Sequence, residues 1–162
     1  MDGRLRNMTA VYISRGEETL LLYRVGSRVV APSYCGIGGH FEAAELNDAR
    51  ACVLRELQEE TGLTERDLRG LTMRYVTQRL KNGEVRQNYY FFADLAPDAA
   101  LPEDCAEGRL EWAPYDELLQ REMPHTAYYV VKHYLETGRY TNALYAGATT
   151  ESGVTFTPLS EF

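Results

Sequence analysis

Two rhythms of apolar residues run along this chain. Residues 8–14 (MTAVYIS) and 19–25 (TLLLYRV) are apolar runs separated by the polar turn Arg15-Gly16-Glu17-Glu18, which predicts a pair of strands. A second pair is predicted over 69–79 (RGLTMRYVTQR) and 84–94 (EVRQNYYFFAD), joined at Lys81-Asn82-Gly83. Asn-Gly is the strongest short hairpin signal. The later strand alternates, with Val85, Gln87, Tyr89 and Phe91 against Arg86, Asn88, Tyr90 and Phe92. Its tyrosines suit packing at a core edge or a dimer face, with a base pocket as the alternative. In 125–136 the apolar or aromatic positions are 127, 130, 131 and 134, which is helical spacing, and Gly138 ends the segment. The tail 141–158 reads as two extended pieces about Glu151-Ser152-Gly153, a hairpin covering part of the sheet. Residues 26–37, with Gly26, Pro32, Ser33 and Gly36, read as an irregular connection, and 96–105 reads as an acidic, proline-containing loop with no regular period.

The stretch Gly38–Leu63 departs from ordinary patterning. From Asn47 it predicts a helix over 47–61, with Asn47 and Asp48 at the N-cap and Gly62 at the C-terminal end. At about 100° per residue, Glu56, Glu59 and Glu60 share an arc with Ala49, Cys52 and Val53. Three carboxylates therefore sit where the helix should turn toward the protein body. Like charges at these spacings repel by about 0.2–0.5 kcal/mol per pair. Arg55 reaches Glu59 at i+4, but one guanidinium cannot neutralise three carboxylates. A hard divalent cation, Mg²⁺ or Mn²⁺, takes such oxygen ligands and keeps positions open for water and phosphates. A solvated acidic helix face is the plainer alternative. The flanking pair Gly38-Gly39, which admits close backbone approach by a bulky anion, and the apolar residues within the arc argue against it.

Composition narrows the setting. A chain of 162 residues has the size of one domain, 1–162, and can bury a proper core. A net charge of −7 argues against a nucleic-acid polymer as partner. Cys35, Cys52 and Cys105 lack CxxC spacing and suit a reducing compartment. The start, MDGRLRNM, lacks the apolar run of a signal peptide, and no stretch approaches a membrane span of about 20 apolar residues. A cytoplasmic protein, monomer or homodimer, is expected. Cys35 as a nucleophile lacks an identified activating base, and packing is the better reading.

The same stretch resembles the signature of the Nudix hydrolases: Gly, five residues, Glu, seven residues, then Arg-Glu-apolar-x-Glu-Glu-x-Gly-apolar. Arg55, Glu56, Leu57, Gln58, Glu59, Glu60, Thr61, Gly62 and Leu63 match its second half without exception. Gly39 and Glu45 keep their mutual spacing, but nine residues lie between Glu45 and Arg55, a two-residue extension of the loop before the helix. The resemblance covers about residues 8–137 and implies an α/β fold (α+β by some schemes), the Nudix α/β/α sandwich with a mixed sheet. It implies metal-dependent hydrolysis of a nucleoside diphosphate linked to another group. Glu56, Glu59 and Glu60 would hold Mg²⁺ or Mn²⁺, Arg55 would orient the glutamates with Glu45 as its own partner, and Gly62 would close the helix. The Glu111-Trp112 strand and the short helix Asp116–Leu119 are similar to a common ending of the family. There Glu107 matches an additional metal ligand or base, with Glu103, Asp104 and Glu111 as competitors and Glu56 as the alternative base. Arg24 falls where related enzymes place a base-contacting residue, and Gly38 and Gly39 would face substrate. His125 near a helix start suits a surface or capping role better than a base contact, and His133 is part of the helix. Members that cleave ADP-ribose tend to carry a proline shortly after the signature, and none occurs between Leu63 and Pro97. The expected substrate is a small-molecule nucleotide, foremost a nucleoside triphosphate, oxidised guanine nucleotides included. The alternatives are a non-catalytic nucleotide sensor, or a Nudix enzyme acting on ADP-ribose, a dinucleoside polyphosphate or an isoprenoid diphosphate.

Overall fold

The structure is a computed structural model that describes residues 1–26, 31–101, 104–105 and 107–162. Nine strands are described: β1 (Arg4–Arg15), β2 (Glu18–Arg24), β3 (Ser33–Cys35), β4 (Leu68–Lys81), β5 (Glu84–Leu95), β6 (Asp104–Cys105), β7 (Gly108–Pro114), β8 (Leu144–Thr150) and β9 (Gly153–Leu159). Two α-helices accompany them, α1 (Ala49–Thr61) and α2 (His125–Glu136). The strands form one mixed sheet in the order β6-β7-β2-β1-β5-β4-β8-β9, with β3 paired to β2 off that path. At its centre β1 and β5 run parallel, in register from Arg4↔Glu84 to Ser14↔Asp94.

Strand alternation distributes the apolar residues to two faces. Val11, Ile13, Leu20, Leu22 and Phe91 face α1, where they bury Val53 and Leu57. Tyr12, Leu21, Tyr90 and Phe92 face the other way, onto Ala127, Val130 and Val131 of α2. Each such side chain taken fully out of water contributes about 1.5–3 kcal/mol. The result is a helix on each face of a sheet, the expected α/β/α arrangement.

The hairpin between β4 and β5 turns at Asn82 and Gly83, both at positive φ (54° and 73°), as a tight primed turn requires. The helix α1 starts one residue past Asp48, whose side chain accepts the Ala51 N–H at 2.9 Å. It stops at Gly62, in the left-handed region at φ 74°, with the Gly62 N–H donating to Gln58 O at 2.9 Å.

Five expectations need correction. The 26–37 connection contains β3, and 96–105 ends in β6; both are two- or three-residue strands too short to carry a pattern of their own. The first strand begins at Arg4, because the long parallel partner β5 supports it beyond its apolar run. The 116–119 segment is a turn followed by a 3₁₀ turn at Leu118–Gln120. The C-terminal hairpin does not lie over the sheet: β8 pairs in parallel with β4 from Tyr75↔Tyr145 and so extends the edge, with β9 outermost. Cys35, Cys52 and Cys105 are free thiols. Among the described residues no helix is long and apolar enough to cross a membrane.

Candidate active site

The connection from Ile37 to His40 runs antiparallel to the first half of β1, bridging Val11↔Ile37 and Met8↔His40. It lies so close that a side chain on Gly38 would collide with Thr9 O and the Ala10 backbone. A Cβ on Gly39 would sit 2.6 Å from the carboxylate carbon of Glu56. Gly38 thus lets this strand-like segment press onto β1, and Gly39 lets α1 bring its Glu56 carboxylate against it.

The three helical glutamates occupy different depths. Glu60 is nearly covered, at 5% side-chain exposure; Glu56 is at 13% and Glu59 is exposed at 57%. Arg55 organises the outer part. Its Nε and Nη2 donate to Glu45 Oε1 and Oε2 at 2.6 and 2.9 Å, and Nη1 donates to Glu56 at 2.9 Å and Glu59 at 3.1 Å. Nη2 also donates to His40 O at 3.0 Å. The extended loop before α1 folds into a 3₁₀ turn at Ala43–Glu45, which delivers Glu45 to this fork. The two-point bond from Arg55 holds the Glu45 carboxyl down at about 2.

Sheet register assembles the inner part. β2 and β7 pair so that Arg24 stands opposite Gly108, which brings the preceding Glu107 against Arg24. Their ion pair is 2.7 Å long, and the same guanidinium reaches Glu60 at 3.4 Å and donates to Gly38 O at 3.0 Å. Burial first, and the negative charge of Glu107 next, push Glu60 well above the usual carboxylate range, against the pull of Arg24. Two carboxylates bond only by sharing a proton, so with both ionised the buried Glu60 Oε2 has no donor among the described residues.

Arg24, for which the sequence suggested a base contact, is drawn into the carboxylate cluster. Of the carboxylates weighed against Glu107, Glu111 is engaged elsewhere, by Arg121 at 3.0 Å and Arg109 at 3.4 Å, and Glu103 lies outside the described residues. Among the described residues no three acidic, histidine or cysteine side chains are gathered into a ready-made metal cage. Two arginines instead divide the carboxylates, Arg55 holding Glu56 and Glu59, Arg24 holding Glu60 and Glu107. The orphaned buried oxygen of Glu60, within a set of hard oxygen donors, fits a divalent cation of the Mg²⁺ type.

Beside this cluster opens a cavity of about 290 Å³, floored by β1 and β5 on the α2 side of the sheet and bounded by the start of α2. Tyr12, Arg24, Gly38, Asn88 and Tyr90 are among its lining residues. The Tyr12 hydroxyl is buried without a partner among the described residues. Cys35 also lines the cavity, but burial pushes its thiol up to about 11, so it is not a thiolate at neutral pH. A larger cavity, about 360 Å³, lies at the far end of α2 beside Arg74, whose guanidinium is already spent on the carbonyls of Ala143, Gly138 and Thr141. Distance from the carboxylates makes the smaller cavity the relevant one. His125 Nε2 meets Thr150 O at 2.8 Å, tying α2 to the C-terminal hairpin, and His133 Nδ1 meets the Tyr75 hydroxyl at 2.9 Å.

The Arg24–Glu107 pairing was hidden from the sequence because it depends on β2–β7 register across more than eighty residues. The cavity residues Arg79 and Arg86 did leave a signal. A two-residue turn at Asn82-Gly83 sets them opposite each other, and they are partners in the hairpin.

Several solved structures share this architecture. The mutator MutT protein from Bacillus halodurans superposes with a TM-score of 0.69 at 22% identity, over 94% of this chain and 97% of that one. The E. coli ORF135 protein gives 0.68 at 20% identity, over 87% of this chain and 96% of the other. A NUDIX hydrolase from Nitrosomonas europaea gives 0.70 at 16% identity, over 92% and 81%. At such identities the likeness establishes the fold. The family model for the NUDIX domain matches residues 4–134 and takes in both the glycine pair and the helix that carries Arg55, Glu56, Glu59 and Glu60. With that match over most of its length, the chain belongs to the NUDIX domain family and is an enzyme of the Nudix pyrophosphohydrolase type.

Proposed function

We propose that this enzyme hydrolyses the diphosphate bond of a nucleotide-type substrate, foremost a nucleoside triphosphate, giving monophosphate and pyrophosphate. The observation that carries this reading is the buried Glu60 carboxylate, orphaned at Oε2 and joined to Glu107 through Arg24, which also lines the cavity of about 290 Å³. Glu56, Glu60 and Glu107 would hold Mg²⁺ or Mn²⁺, with Glu59 at the exposed rim. When bound, the cation supplies charge neutralisation to the diphosphate and lowers the pKa of a water.

The remaining work belongs to the chain. Arg55 holds Glu56 and Glu59 in place while Glu45 holds Arg55. Gly38 and Gly39 keep the strand-like segment free of side chains where the phosphates approach. Water oxygen bonds to phosphorus, the bridging P–O bond breaks with its electrons leaving on the departing phosphate, and the water's proton passes to a carboxylate. Glu107, half exposed and paired with Arg24, is the preferred acceptor, with Glu56 the alternative. The free thiols suit a reducing, cytoplasmic setting.

The test is product release from a panel of nucleoside triphosphates (oxidised guanine nucleotides included), dinucleoside polyphosphates and ADP-ribose, with Mg²⁺ and with excess chelator. Turnover confined to the metal-containing reactions supports the reading. Undiminished turnover in chelator, or none on any member of the panel, overturns it.

A further inference from the structure

The far end of the same cavity carries charge that the hydrolytic centre does not use. Arg79 of β4 and Arg86 of β5 both line it, and strand pairing sets them directly opposite each other. Arg6 of β1 pairs with Arg86 from the other side, so three arginines form one row across β1, β5 and β4. Like charges in such a row destabilise a sheet. The row persists in a protein whose net charge is −7. Its charge is only partly answered: Arg86 Nε donates to Glu84 at 3.1 Å, and Arg6 donates to His40 Nε2 at 2.8 Å. Arg79 has neither ion-pair nor hydrogen-bond partner among the described residues. The described lining of the cavity holds Arg24, Arg79 and Arg86 and no acidic residue.

Position separates this row from the diphosphate end. Gly38 lies against Thr9 and Ala10 of β1, and the Arg6 row lies three to four residues further along the strand, about 10–13 Å away. One phosphate chain at the carboxylate helix cannot be met by both ends of the cavity. We infer that Arg79 and Arg86 form a second anion subsite, which takes a further phosphoryl group carried on the nucleoside side of the substrate. The inference rests on the proposed diphosphate hydrolysis at the carboxylate helix and narrows its substrate to nucleotides phosphorylated at two places. Planar guanidinium pairs suit this ligand because each can grip two oxygens of one phosphate.

The experiment measures binding without turnover. In excess chelator, the affinities of adenosine and guanosine 5′-monophosphates are compared with those of the 2′,5′- and 3′,5′-bisphosphates and of a short single-stranded oligonucleotide. For the wild-type protein at least one bisphosphate binds about tenfold or more tightly than its monophosphate, the scale of one charge-assisted contact. In Arg79→Gln and Arg86→Gln that ratio falls toward one, Arg79→Lys retains part of it, and thermal melts show all three variants folded. A ratio near one in the wild type, or a ratio that survives Arg79→Gln, overturns the inference. So does an oligonucleotide that binds tighter than every bisphosphate through Arg79, which makes the row a nucleic-acid surface. Failure of metal-dependent turnover on the nucleotide panel sinks the hydrolysis reading and leaves the binding ratio to be judged separately. Turnover with no bisphosphate preference sinks only the subsite.

Discussion

Replacing Glu45 by Gln keeps the shape of the side chain and removes its charge from beneath Arg55. Glu45 is 10% exposed and its partner Arg55 is 22% exposed, so the pair lies just under the surface. The shift from 4.5 to about 2 corresponds by linkage to about 3.4 kcal/mol. Solvent screening at so shallow a site reduces it; breaking a fully buried pair costs about 3–5 kcal/mol and an exposed one about 0–1. A loss of about 2 kcal/mol at neutral pH is the expected outcome, or about 4–8 °C in Tm for a chain of this size. Because the folded-state pKa is depressed, the contribution is fully present above pH 4.5 and disappears as pH falls toward 2. Urea unfolding of wild type and Glu45→Gln in chelator, from pH 7 to pH 3, measures this. The gap should be constant down to about pH 5 and shrink by more than half by pH 3. A gap below about 0.5 kcal/mol at pH 7, or one that does not change with pH, would refute the assignment of Glu45 as the anchor of Arg55.

Three further outcomes are expected. Glu60 has a raised pKa, so in the metal-free protein its own contribution to stability is full below pH 4.5 and is lost as pH rises toward about 8. Glu60→Gln should flatten that decline and exceed wild type by at least about 1 kcal/mol at pH 8.5 in chelator, while the stabilisation by Mg²⁺ shrinks; melts with and without metal check both. Gly39→Ala places a methyl 2.6 Å from the Glu56 carboxylate carbon and should lower kcat by about 10²-fold while Tm changes little, since the collision is with a side chain in the site. Glu107→Gln should cost about 10²–10⁴-fold in kcat, and Glu111→Gln far less, because Glu111 is held by Arg121 and Arg109 away from the cluster. Equal small losses at both positions would move the proton acceptor to Glu56.

Local chemistry made much of this protein readable in its sequence. The Asn82-Gly83 turn needs only two residues able to take positive φ, so the hairpin and its register follow from a dipeptide. The ends of α1 follow from Asp48 and Gly62, and its conflict of three carboxylates on one arc follows from helical periodicity alone. Each of these depends on neighbours within one turn of helix or one hairpin.

What only tertiary structure decided depends on residues far apart in the chain. Helical periodicity makes Glu56, Glu59 and Glu60 equivalent; tertiary packing buries Glu60, covers most of Glu56 and leaves Glu59 exposed. The register of β2 against β7 selects Glu107 from an acidic loop and turns Arg24 toward Glu60. The parallel pairing of β1 with β5 adds Arg6 to a row that the hairpin alone would have left at two arginines. Strand order and register are set by burying two apolar faces at once, and that cooperative requirement has no counterpart in any short stretch of sequence.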